Sequence, residues 1–207
     1  MRDMKKSLSF SIYHLSFSVA LLCSVALFTS CLKDDDNNDN EGLSQEQIHS
    51  CYLQMAGEHT GKLIYQKYED YTNLNLINDS IDVTWTVDSD SIITVHNVPT
   101  SALGAQVQSN VLKTAIEEAG KTDMKVYYLP YNTSPVSFMV YPNPVKVNVF
   151  MSNATRTVTI GFATSSYSWG SYENSKMRMQ LVLYGVYLDD STYSYLTSQV
   201  PMVIEEI

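Results

Sequence analysis

Hydrophobic and polar positions along the chain follow two different periods. Ile48, Cys51, Tyr52 and Met55 fall at i, i+3, i+4 and i+7, the single apolar stripe of an amphipathic helix. Ahead of that stripe, Ser44 and Gln47 stand at capping-box spacing, and Leu43 and Ile48 take the staple positions on either side. The pattern predicts a helix that Gly57 ends, with Cys51 as a small core residue in mid-stripe.

Beyond Gly57 the period shortens to two. A short strand is expected over Lys62–Gln66. In the next, Ile81, Val83, Trp85 and Val87 alternate with Asp82, Thr84 and Thr86, a half-buried strand with a polar outer face. Asp88-Ser89-Asp90 turns it into Ser91–Asn97, and Val98-Pro99 breaks the alternation. A second helix is expected over Ser109–Ala119, with Val111, Leu112, Ala115 and Ile116 inward and Gly120 past its end. Strands over Met124–Leu129 and Val136–Tyr141 each stop at a proline. Val145–Met151 and its return strand around Val158–Phe162 form a hairpin across Ser152-Asn153-Ala154-Thr155. Lys176–Leu188 is a long strand with Met177, Met179, Leu181 and Leu183 on one face; shorter strands are expected over Tyr193–Leu196 and Val203–Ile207.

Eight or nine closely spaced strands with two helices predict a mainly β fold. The expected architecture is an antiparallel β-sandwich or a flattened β-barrel, with an N-terminal helix and one inserted helix. The opening helix and a first strand flanked by Gly57 and Gly61 faintly resemble lipocalin-type barrels.

Residues 1–41 carry neither period. Arg2, Lys5 and Lys6 precede the greasy run Val19–Phe28, Thr29-Ser30 follows, and then Cys31. Charged start, apolar stretch, small residues and cysteine resemble a bacterial lipoprotein signal peptide, which implies lipidation at Cys31. The strongly apolar part is about half the ~20 residues a membrane span requires, and Phe28 stands where that pattern usually has Leu or a similar aliphatic. Residues 1–30 are therefore expected to be removed. Residues 31–41 are expected to be an acidic tether and 42–207 a single β-rich domain. Lys33 followed by Asp34, Asp35 and Asp36 resembles the export signal of surface-exposed lipoproteins in the Bacteroidota. That resemblance implies display on the outer face of the outer membrane, with the lipid as the membrane contact. As a whole the chain is similar to the many small surface lipoproteins of that group whose domains have no known function.

Charge narrows the partners. From Gly42 onward 9 Lys and Arg face 16 Asp and Glu, so the domain is acidic and carries no basic stripe. Nucleic acid is not an expected partner. Cys51 is the only cysteine past the tether, which leaves it no disulfide partner within the domain.

Candidate chemistry is sparse. His49, His59 and His96 show no metal-ligand spacing among themselves or with a thiol, so neither a metal site nor a nucleophilic triad is expected. Asp82, Asp88 and Asp90 at a hairpin end read as turn residues rather than calcium ligands. With no cofactor motif and no catalytic set, a non-enzymatic protein is expected. The segment Ser165–Tyr172 differs from the rest. Tyr167, Trp169 and Tyr172 alternate with Ser and Gly, a composition suited to recognition loops, where rigid aromatic area comes at low entropic cost. The alternative is that Trp169 folds back to cap the core. The function expected from these features is binding of a glycan or an outer-membrane partner protein; the second expectation is an assembly role in which strands pair with another subunit.

Overall fold

Alternation of buried and exposed residues carries ten antiparallel strands through a computed structural model, which describes residues 42–69, 75–164 and 167–207. Cys31, Lys33, Asp34, Asp35 and Asp36, and the 165–166 part of the Ser/Tyr/Trp segment, lie outside the described residues. In chain order the strands are β1 (Gly57–Tyr68), β2 (Leu76–Ser89), β3 (Ile92–Pro99), β4 (Lys121–Thr133) and β5 (Val136–Pro142), then β6 (Val145–Met151), β7 (Ala154–Phe162), β8 (Trp169–Glu173), β9 (Lys176–Leu188) and β10 (Val200–Glu206). The helices are α1 (Gln45–Met55), the single turn α2 (Thr100–Leu103) and α3 (Asn110–Glu118).

Strand pairing closes the sheet on itself. The order is β10-β1-β2-β3-β4-β5-β8-β9-β7-β6, and a further pairing of β10 with β9 completes a ring of eight strands, from which β6 and β7 extend. Two bends explain the departure from simple sequence order. β8 meets β9 from Trp169↔Gln180 to Glu173↔Lys176, and β7 meets the continuation of β9 from Val158↔Leu188 to Phe162↔Leu183. Ala163 N donates to Val182 O at 2.7 Å between the two, so β7 and β8 are one bent arm of a hairpin with β9. β5 and β6 bend alike along β8 and β7. The barrel is thus an up-and-down meander of neighbours. The tight returns at Ser152-Asn153 and Asn174-Ser175 have positive φ at both central residues, matching the twist of the strands they join.

Closure selects the barrel from the two expected architectures. A sandwich leaves its sheets open at the edges, whereas β10 pairs with β1 over Gly61–Ile64 and with β9 over Val200–Glu205. Its approach to β1 requires Gly61, since a Cβ there would lie 2.1 Å from Glu205 O. The interior is filled with side chains. Trp85, Phe138, Met124, Met177, Met179 and Leu181 are each 1% exposed or less, so the barrel is a solid core and not the ligand-holding cup of a lipocalin-type barrel.

Local expectations fare unevenly. The capping box of α1 is present: Ser44 N donates to Gln47 Oε1 at 2.8 Å and Gln47 N donates to the Ser44 hydroxyl at 3.3 Å. Cys51 is buried, and burial pushes its thiol pKa up. Two helices, not one, are inserted between β3 and β4, because Pro99 ends β3 and a single helical turn follows before α3. Val111, expected inward, is 65% exposed; α3 turns only Leu112, Ala115 and Ile116 to the core. β1 runs the full length of β2, well beyond the short strand expected. Residues 193–196 form no strand; Tyr195 instead bonds through its backbone to Val186 and Gln108.

Candidate ligand-binding face

The outer wall over β4, β5 and β8 carries a cluster of apolar and aromatic side chains. Tyr128, Phe138, Val140 and Gly170 face inward, so the residues alternating with them face outward. Register aligns these in rows. Leu129 lies opposite Met139, Met139 opposite Trp169 and Trp169 opposite Gln180; one row over, Tyr127 lies opposite Tyr141. Directly opposed residues share a face, so Leu129, Met139 and Trp169 form an uncharged line across three strands. Leu129 is 51% exposed, and Tyr131 and Tyr167 flank the line, exposed in their turn.

Trp169 has a cationic neighbour in Arg178. The Arg178 guanidinium lies 6.0 Å from its ring centroid, within cation–π range, and Arg178 also pairs with Glu205 at 3.5 Å. On the inner side Gly170 packs so closely under Phe138 that a Cβ there would meet the ring at 2.2 Å. Gln180 Nε2 donates to Tyr167 O at 2.8 Å, fixing the backbone that presents Tyr167.

The three aromatic residues singled out in the sequence do not share one face. Tyr167 precedes β8, whereas Trp169 and Tyr172 are strand residues of β8. They are three positions apart and point to opposite faces, so Tyr172 turns into the barrel and meets His59 edge-on at 6.3 Å. Its place on the wall is taken by Leu129, Met139, Tyr127 and Tyr141. The signal for these lay in strands whose solvent side carried Tyr, Leu and Met where charged or Thr residues stand on β2.

The histidines spend their ring nitrogens on separate partners. His49 Nδ1 lies 3.0 Å from Asp90 Oδ1 on the surface. His59 is buried, its Nε2 donating to Met55 O at 2.7 Å, its Nδ1 3.3 Å from both Glu206 oxygens and its ring stacked on Trp85. On the outer face of β2 and β3, Thr86 Oγ1 donates to Asp88 Oδ1 at 2.6 Å and accepts from His96 Nε2 at 3.0 Å; Thr94 donates to the other Asp88 oxygen. Burial works against the Asp88 charge, but those hydroxyls, with His96 and Lys125 nearby, hold its carboxyl below the usual carboxylate range. Asp88 is therefore engaged by side chains of its own sheet. His96 borders an open cleft of about 470 Å³ with a mixed lining that includes Asp82, Asn97 and Lys121 but also Val83 and Ile207, where β3 diverges from β2. Among the described residues no three His, Cys, Asp or Glu side chains gather in a way that could hold a metal ion, and no helix is long and apolar enough to cross a membrane.

Compared with known proteins, residues 54–188 match the model of a family described as a domain of unknown function, DUF4840. No curated protein matches the chain. Nor does any solved structure.

Proposed function

The chain belongs to the DUF4840 family, and from that premise we propose that it is a non-catalytic binding module whose outer wall over β4, β5 and β8 takes a glycan. One observation carries the reading: Leu129, Met139 and Trp169 stand in register across three strands with no charge among them. Aromatic faces stack on the C–H faces of sugar rings, and the flanking tyrosine hydroxyls of Tyr127, Tyr131 and Tyr167 reach hydroxyl groups at the ring edges. The separate engagement of His49, His59 and His96 fits binding better than acid–base chemistry.

The module is held at the outer face of an outer membrane by lipid on Cys31, with Lys33 and Asp34–Asp36 as the export signal. The sequence pattern of residues 1–41 supports this placement. Burial of acyl chains contributes about 0.8 kcal/mol per CH₂, so several chains on one cysteine anchor a protein durably.

Glycan arrays probed with the native chain and with Trp169→Ala test the binding reading. A hit that the substitution abolishes supports it. Binding unchanged by both Trp169→Ala and Leu129→Ser rejects this wall as the site, and a protein captured in equal amount in place of any glycan moves the reading to a protein partner. Labelled palmitate that enters the native chain but not Cys31→Ser supports the anchor.

A further inference from the structure

We propose that the open edge of β2 is a self-association seam, on which a second copy of this chain lays its own β2 antiparallel about a two-fold axis at Ser80. The inference is independent of the glycan reading and of the wall that carries it.

β1 pairs with β2 from Leu76 to Val87, but β3 pairs with β2 only from Thr84 onward. At Asn97, a bulge with φ of 51°, β3 swings toward β4. Among the described residues, 76–83 are therefore left with one edge unpaired. The ladder phase says which groups face that edge. Glu69 N donates to Asn75 O at 2.9 Å, which makes these two a hydrogen-bonded pair. Such pairs alternate along an antiparallel ladder, so Ile77, Asp79, Ile81 and Val83 bond to β1, while Asn78, Ser80 and Asp82 turn their N–H and C=O groups outward. Ser80 N is capped by the neighbouring Asp79 carboxylate at 2.8 Å, consistent with this phase.

The edge is complementary to itself. A two-fold axis at Ser80 sets Asn78 opposite Asp82 of the second copy, and Asp82 opposite Asn78. Gln66 Nε2 already donates to Asn78 Oδ1 at 3.3 Å, which leaves the Asn78 amide nitrogen to donate, and Asp82 is an acceptor held by Lys62 at 2.9 Å. The paired sheet would thus carry the row Lys62–Asp82–Asn78–Gln66 twice, each donor meeting an acceptor. Repulsion is small, because Asp79 and Asp82 are each neutralised by their own lysines, Lys67 and Lys62. At the fork, the cleft beside Asp82 and Asn97 leaves room for the end of the incoming strand. In the pairing, the Asp79 cap on Ser80 N gives way to the second copy's backbone, while Lys67 and Tyr65 keep the carboxylate. The seam is short, so the association is weak and concentration-dependent.

In a hydrogen-bonded antiparallel pair the Cα atoms lie ~5.5 Å apart, within disulfide reach. Mild oxidation of the full chain carrying Ser80→Cys should therefore give a disulfide-linked dimer well above the native level. Glu118→Cys, an exposed thiol elsewhere, should stay at that level. Sedimentation of the native chain should show dimer growing with concentration. Asn78→Asp, which puts two pairs of carboxylates face to face, should weaken it about tenfold, and adding Asp82→Asn should restore it. Cross-linking of Ser80→Cys no greater than that of Glu118→Cys overturns the proposal, and so does an Asn78→Asp chain that dimerises like the native one. Should Ser80→Cys fail to fold, the Asn78 and Asp82 series decides alone.

Discussion

His59 on β1 and Glu206 on β10 meet across the seam that closes the barrel: Nδ1 lies 3.3 Å from both carboxylate oxygens, and Glu206 Oε2 also accepts from Met177 N of β9 at 2.9 Å. One carboxylate thus ties the last strand to both of its neighbours. The imidazole is fixed from its other side by Met55 O and stacks on Trp85, so α1 is tied in as well. Removing either partner leaves a polar group stranded at the barrel end. His59→Ala and Glu206→Ala are each expected to cost about 2–4 kcal/mol. Urea unfolding of the two singles and the double checks it; the double should cost less than the sum, because the two act as a unit.

The two faces of β8 should separate stability from recognition. Tyr172→Ala removes an aromatic ring packed on the core beside His59 and should lower stability by about 1–3 kcal/mol. Trp169→Ala strips a ring from the outer wall and should change stability by about 1 kcal/mol or less, while abolishing any ligand bound there. Thermal melts of both variants are the measurement. The reverse order would mean that Trp169, not Tyr172, serves the core.

Gly170 has no room for a methyl group, because Phe138 fills that space. Gly170→Ala should destabilise by about 1–3 kcal/mol through overpacking. Trimming the ring with Phe138→Leu should be less harmful in the Gly170→Ala background than in the native one. A double-mutant cycle reads this coupling directly.

Acid and base should strip the same network from opposite sides. The hydrogen bond from Lys67, aided by Ser80 N and Tyr65, holds the Asp79 carboxyl below its ordinary range. Its contribution is full above the unfolded carboxylate value of about 4 and fades as the pH falls through the lowered native one. The Tyr65 hydroxyl, pushed up to about 12 chiefly by burial and then by Asp79, behaves oppositely. Its contribution is intact below the unfolded value of about 10 and is lost as the pH rises toward 12. Asp79→Asn should flatten the acid limb of a stability–pH curve, and Tyr65→Phe the alkaline limb.

Local order was the legible part of the chain. Ser44 and Gln47, Gly120 and the alternation of Ile81–Val87 act within a few residues, and their elements stand where the periods put them. Closure was not legible, since it depends on β10 reaching β1 from far along the chain, as Glu206 does Gly61 across 145 positions. The segment around Trp169 shows the same limit at short range. Its composition suggested a loop, but pairing with Met139 and Gln180 extends it into a strand, and pairing alone decides which face each aromatic takes. The wall itself was written in Tyr127, Leu129, Met139 and Tyr141, whose apolar character on a solvent face reads as a site only once the strands are side by side.

Because β10 bridges β9 and β1, the barrel stays open until β10 has been made. While the ribosome works through β1 to β9, the nascent sheet carries two naked margins, one on each side of the gap. Both are sealed in a single event when the final strand arrives. Until that moment the growing chain is a template for pairing with other chains, and its safety rests on how quickly one short segment finds the slot between the oldest strand and the newest.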